Sequence, residues 1–381
     1  MRITIKRIST IICAAVCLLS MTGCLFNPFR RSSSRSTSSK ELSYEEAAEI
    51  LLKEYSVQSY SGSVPDGMEI KYVVVKEVYM DNYENSHEYQ YDYDKAGRQT
   101  VKIDVNSINS VKYELTYNSD GTLAKKEFSK EKDSKAGNYG PNYYGEYTYN
   151  ENKQLISYTV SEDNQIPSTY KLTYENGHLK SAEVNGSTQT YDYCTAGVFY
   201  DYCAVVSDDF YSRPGIEIVK RTYSDNTFEQ VLTETNSDNR VTYFEYDGDT
   251  LIGWYWIDEW DRTIKWNANG NLVAEIEKDG TLIEKSEYNE YYDRTLYERY
   301  DNGVLVDKAT SVFEYDGKGN KLSETCTYWY KRDDREDTFI SLTKYDYDNH
   351  GLLKSEVHFI DDSFMDMTVY AYKAIAVPAD D

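Results

Sequence analysis

The chain has 381 residues, a formal charge of −24, 40 tyrosines and only six cysteines. A surface this acidic argues against nucleic acid as a partner, because phosphate-binding proteins carry basic faces. The aliphatic content is low enough to approach a disordered composition. The tyrosines argue for a fold, since each ring buries apolar area while its hydroxyl stays hydrogen-bonded.

The first residues read as an export signal. Arg2, Lys6 and Arg7 precede an apolar run from Ile8 to Leu19, about a dozen residues and too short for a bilayer, which takes roughly 20. The junction Met21-Thr22-Gly23-Cys24 resembles the lipobox of bacterial lipoproteins. That resemblance implies cleavage before Cys24, diacylglycerol on its thiol and acyl chains, palmitate among them, that anchor an extracytoplasmic domain to the cell membrane or outer membrane. An ordinary secretory signal with a coincidental cysteine is the alternative. Residues 1–23 are thus read as signal peptide. Residues 24–40, rich in Ser, Arg and Pro, are read as a flexible tether whose Arg30, Arg31, Arg35 and Lys40 either lean on anionic headgroups or merely solubilise.

Residues 41–58 carry a short helix. Ser43 and Glu46 have capping-box spacing, and Ala47, Ile50 and Leu51 follow at helical period. Its apolar stripe is expected to cover an end of a sheet.

From 68 to 377 the sequence repeats itself. Tyr91-Asp92-Tyr93-Asp94-Lys95-Ala96-Gly97-Arg98 sets the pattern: aromatic, acid, turn residues and glycine, then an alternating run. The aromatic-then-turn unit returns at Tyr117, Tyr149, Tyr174, Tyr246, Trp266, Tyr300, Tyr315 and Tyr347. Asp, Asn and Gly tolerate the left-handed backbone of tight hairpins, so each copy reads as strand, turn, strand. The copies start at irregular intervals of roughly 15 to 35 residues, unlike a strict solenoid period. These units resemble the YD repeat of the RHS family, with Tyr91 to Arg98 and Tyr345 to Leu352 the nearest matches. The resemblance implies an all-β fold of consecutive antiparallel hairpins in an extended, twisted sheet; the short N-terminal helix read from Ser43 and Glu46 precedes it. Two stretches read as interruptions, an exposed loop over 130–145 and the duplicated Tyr-Asp-Tyr-Cys at 191–194 and 200–203. In an exported protein Cys194 and Cys203 suit a disulfide worth roughly 2.5 to 3 kcal/mol; buried free thiols are the alternative.

Signals for chemistry are sparse. His87, His178, His350 and His358 lack a metal-ligand spacing with the cysteines, and neither a phosphate-cradling loop nor a Gly-x-Ser-x-Gly elbow is present. No metal and no cofactor is expected. Asp92 and Asp94 lack a full calcium-ligand loop. Trp254, Trp256, Trp260 and Trp266 form the best candidate contact surface for a glycan or protein partner, and core packing explains the same residues. Two functions follow: a non-enzymatic binding or scaffold lipoprotein of the envelope, or a carboxylate-dependent enzyme acting on envelope polysaccharide. Replacing Cys24 by alanine is expected to move the protein from the membrane pellet to the soluble fraction; unchanged fractionation would remove the anchor.

Overall fold

The computed structural model describes residues 43–83, 85–105, 110–133, 138–162, 165–191, 199–207, 209–210, 214–225, 227, 229–236, 238–258, 260–267, 273–332 and 335–379. Within them one helix, Tyr44–Leu52, accompanies 25 strands joined in a single open sheet. From Ser86–Tyr93 to Ser187–Thr190 each strand pairs antiparallel with its predecessor, and so does each strand from Ile216–Tyr223 to Ser363–Pro378. The two runs are spliced by Met68–Asp81, which lies between Ser86–Tyr93 and the last strand, Ser363–Pro378. This splice joins residues some 300 positions apart, and its register runs from Met68 opposite Pro378 to Asp81 opposite Asp366. The two strands nearest the gap in chain order, Ser187–Thr190 and Phe199–Val206, do not pair with each other, which leaves the sheet open there.

Two kinds of turn recur among the described hairpins. In the first, an Asp or Asn accepts backbone bonds with its own side chain. Asp94 Oδ1 takes the N–H groups of Ala96 and Arg98 at 2.9 and 3.0 Å, and Gly97 N–H returns to Asp94 O. Asn150, Asn236, Asp258, Asn289, Asp316 and Asp348 do the same. The residue three positions later has positive φ and is glycine at Gly97, Gly319 and Gly351, but Lys153, Asn239, Asp261 and Tyr292 elsewhere. The second kind is a two-residue turn with both residues left-handed: Asn176-Gly177, Asn185-Gly186, Asp279-Gly280, Asn302-Gly303 and Asp361-Asp362. Such turns match the right-handed twist of the strands they join.

The expected helix forms. Ser43 Oγ accepts from Glu46 N–H at 3.2 Å and Glu46 Oε2 accepts from Ser43 N–H at 3.0 Å, closing the capping box. Its stripe Ala47, Ala48 and Leu51 covers a face of the sheet at the splice rather than its end, packing on Val78, Met80, Val357, Met367 and Val369. The splice supplies apolar side chains from three strands, and burying a Leu or Met there contributes about 1.5–3 kcal/mol. Beside it, Ser56–Gln58 pairs in parallel with Ala371–Lys373, along the length of the last strand that Leu353–Ile360 does not reach.

The described residues of the first expected interruption, 130–133 and 138–145, are strand, and so are residues 199–203 of the second; residues 192–198, with the first Tyr-Asp-Tyr-Cys copy after Tyr191, lie outside the described residues. Lys130 opposes Gly140 in a hairpin of Leu123–Asp133 with Asn138–Tyr149, and Phe199–Val206 pairs with Ile216–Tyr223. A neighbour on each side satisfies backbone groups whatever the local composition, so pairing overrides a loop-like sequence.

Gly97 combines two constraints: its φ is +74°, and an added Cβ would stand 2.9 Å from Val377 Cγ1. Gly97→Ala is expected to destabilise by about 1–2 kcal/mol in urea titration. Gly177→Ala, at φ +87° with nothing within 4 Å, is expected to cost less.

Candidate functional site

Directly opposed residues of antiparallel strands share a face, so one face can be followed around the whole sheet. It runs from Tyr158 and Tyr147 through Leu115 and Lys126, Glu77 and Tyr89, and Glu356 and Thr368. It continues to Ser286 and Tyr297, Trp254 and Trp266, and finally Cys203 and Val219. The helix lies on the opposite face, which carries Val78, Met80 and Met367.

The direction of curl follows from the overlap of the two ends. Leu115, Tyr147, Leu155, Tyr158, Leu172 and Leu179, on the face away from the helix, are covered by Tyr202, Ala204, Val206, Ile216 and Ile218. Those five alternate with Cys203 and Val219 and so belong to the helix-side face. The sheet therefore rolls away from its helix, with one end tucked inside the other. Tyr158 O–H donates to Pro214 O at 2.9 Å across this overlap, and Gly145 leaves room for Pro214, whose Cβ would lie 2.8 Å from a Cβ at 145. Between the ends is a recess of about 400 Å³ walled by Tyr149, Leu155, Tyr174, Tyr202 and Cys203.

The concave face is rich in tyrosine and acid. Burial pushes the carboxyls of Glu284, Glu324 and Glu356 up from the usual range; around Glu284, Arg262, Arg299 and Arg294 oppose that shift. Burial likewise raises Tyr79, Tyr147, Tyr174, Tyr297, Tyr315 and Tyr372 to about 12. At the turns the tyrosine hydroxyls reach backbone of a neighbouring hairpin. Tyr174 donates to Leu155 O at 2.8 Å, Tyr347 to Lys321 O at 2.9 Å and Tyr372 to Leu353 O at 2.7 Å.

The four tryptophans do not form one surface. Trp254 and Trp266 are 4% and 3% exposed, stacked on each other with centroids 5.9 Å apart, and Tyr288 extends the stack at 5.8 Å from Trp266. Trp256 is half-buried with Arg240 5.6 Å above its ring. Trp260 is 59% exposed on the turn between Thr250–Ile257 and Arg262–Asn267, beneath the Arg262 guanidinium. Cys203 is unbridged and half-buried on the face that carries Val219 and Arg221; its expected partner Cys194 lies outside the described residues, as does Cys24. Among the described residues no group of three or more His, Cys, Asp or Glu side chains is arranged to hold a metal. Asp94, weighed for calcium, already bonds two backbone N–H groups and the Arg98 guanidinium. No described helix is long and apolar enough to cross a membrane.

Sequence reasoning did not single out the half-buried acids Glu284, Glu324 and Glu356 from among 65 Asp and Glu residues. They alternate with residues of the other face like any strand acid, and only the curl decides which side is enclosed.

Fold and site together define an open, all-β hairpin-repeat protein with a tyrosine-rich, partly acidic concave face. No family model and no curated protein matches the chain. Among solved structures it is similar to a Tc holotoxin pore from Photorhabdus luminescens, with 10% identity, a TM-score of 0.27 and coverage of 78% of this chain. It spans 18% of the length of that toxin chain. It is also similar to a porin-like protein from Bacteroides uniformis, with 11% identity and a TM-score of 0.22, covering 78% of this chain and 97% of that one.

The raised tyrosines set an alkaline limit on stability. Below about pH 10 folded and unfolded chains both keep these protons; above it the unfolded chain releases them first. Stability is then lost as pH rises from about 10 towards about 12, where Tyr79, Tyr174, Tyr297 and Tyr372 titrate in the fold. Tyrosinate absorbance and loss of the β-sheet circular dichroism signal are expected to rise together in that window. Full titration with the sheet intact would contradict it.

Proposed function

We propose that the protein is an extracytoplasmic, lipid-anchored module of the bacterial envelope that works as a binding surface or scaffold. The YD-like hairpins supply a large sheet, and Cys24 supplies the anchor. The observation that carries the reading is the concave face: a continuous, curled surface on which tyrosine rings and hydroxyls alternate with acids. Flat rings paired with hydroxyls and carboxylates suit sugar faces and their hydroxyl groups, or polar peptide. The partner is accordingly an envelope or host glycan, with a protein as the alternative occupant. Trp256 and Trp260 extend this chemistry to accessible positions, while Trp254 and Trp266 stiffen the strands beneath.

Hydrolysis through a carboxylate pair is the second reading, favoured by the raised carboxyls of Glu284, Glu324 and Glu356. It predicts release of reducing ends from a bound polysaccharide.

On an array of envelope and host glycans, the acylated protein is expected to bind at least one glycan without shortening it. Trp256→Ala and Trp260→Ala are each expected to weaken binding roughly 5- to 30-fold, the effect of losing about 1–2 kcal/mol of aromatic contact. Absence of binding to every glycan and to envelope protein would remove this function.

A further inference from the structure

Three residues on the concave face form a hydrogen-bonded relay. Ser341, in Arg335–Tyr347, places Oγ 2.9 Å from Nε2 of His358, in Leu353–Ile360. The other ring nitrogen, Nδ1, lies 3.2 Å from Asp366 Oδ2, in Ser363–Pro378. Register fixes the set: His358 stands directly opposite both Thr343 and Asp366, and Ser341 is two residues from Thr343 on the same face. The neighbouring acid Asp81, opposite Asp366, is occupied by the turn that follows it, accepting from the N–H groups of Tyr83 and Asn85 and from Asn85 Nδ2. Asp366 is thus left to face the imidazole. The relay is reachable, with His358 and Asp366 side chains 28% and 32% exposed.

The order Ser Oγ, His Nε2, His Nδ1, carboxylate is the arrangement that activates a serine for attack on carbonyl carbon. It is recognised by geometry and role rather than by sequence position. Beside it is a flat wall: Phe339, two residues before Ser341 on the same face, stacks on Tyr328 with centroids 4.6 Å apart and 12° between the rings.

We infer that Ser341, His358 and Asp366 form an acyl-transfer site for esters that carry an aromatic or similarly flat apolar group. This goes beyond the binding reading and does not depend on it. Ser341 Oγ attacks the ester carbonyl and its proton passes to His358 Nε2. The bond to the alcohol breaks, and the alcohol leaves with that proton. Water then attacks the acyl-serine ester while His358 takes a second proton, which returns to Ser341 Oγ as the carboxylic acid departs. Asp366 accepts from Nδ1–H and holds the imidazole with Nε2 towards the serine. Phe339 and Tyr328 receive the flat group. Ser341 and His358 are catalytic, and Asp366 is a positioning residue.

The test uses the full-length protein with a fluorophosphonate probe and with 4-nitrophenyl benzoate. Peptide mass spectrometry is expected to find the phosphonyl adduct on Ser341. Ser341→Ala abolishes it, and His358→Gln slows both labelling and ester hydrolysis at least about 100-fold with the circular dichroism spectrum unchanged. Asp366→Asn shifts the pH–rate profile, which a purely structural carboxylate would leave in place. Phe339→Ala raises KM more than it lowers kcat. No adduct on Ser341 of the unaltered protein, or labelling that survives His358→Gln, overturns the site. Glycan binding by the same preparation reports separately on the binding function.

Discussion

The tyrosine that closes a turn and reaches the neighbouring hairpin is the interaction on which this structure depends. Its ring is half-buried against the neighbouring strands while its hydroxyl meets a carbonyl one hairpin away, as Tyr174 does with Leu155 and Tyr347 with Lys321. An aliphatic side chain at that position would bury similar area but leave the carbonyl to water. A chain with a charge of −24 and little aliphatic content can therefore build an ordered sheet, because its apolar surface and its polar satisfaction come from the same residue.

Turn chemistry and the splice convert local hairpins into one object. The Asp and Asn side chains that bond their own turns fix where each strand stops, and the left-handed residue that follows fixes the exit. Tyr292 shows the strength of this constraint, since an exposed aromatic residue holds φ +64° there without glycine. Hairpins alone would give a ribbon with two free ends. Pairing of Met68–Asp81 with Ser363–Pro378 instead makes the first and last long strands the middle of the sheet, and the free edges fall near the centre of the chain. Those edges overlap face to face around Tyr158 and Pro214, so the sheet is rolled without being closed.

Rolling gives the two faces different work. The convex side carries the helix and, along Lys265, Glu275 and Lys285, a row of alternating charge opposed strand to strand. The concave side gathers tyrosines, half-buried carboxyls and the Ser341–His358–Asp366 relay. Binding over an extended curved surface and chemistry at one point on it are compatible, since the relay occupies three adjacent strands of a sheet that has 25.

Much of this was legible in the residues themselves. Alternation, the Asp or Asn before Gly, and the Ser43–Glu46 pair identified strands, many turns and the helix, because each is a local effect of backbone conformation or of a side chain bonding its own backbone. Turns at Asn236, Asp258 and Asn289 escaped notice because Asn239, Asp261 and Tyr292 take the left-handed position that glycine marks elsewhere. The face of each side chain was readable in relative terms, but not which face is enclosed: Trp254 and Trp256 share one, yet only Trp254 is stacked in the core. Tertiary structure alone decided the splice of the two runs, the direction of roll, and the meeting of Ser341, His358 and Asp366. Those depend on pairings between distant strands, and the register that sets them is a property of the assembled sheet, carried by no single segment of the chain.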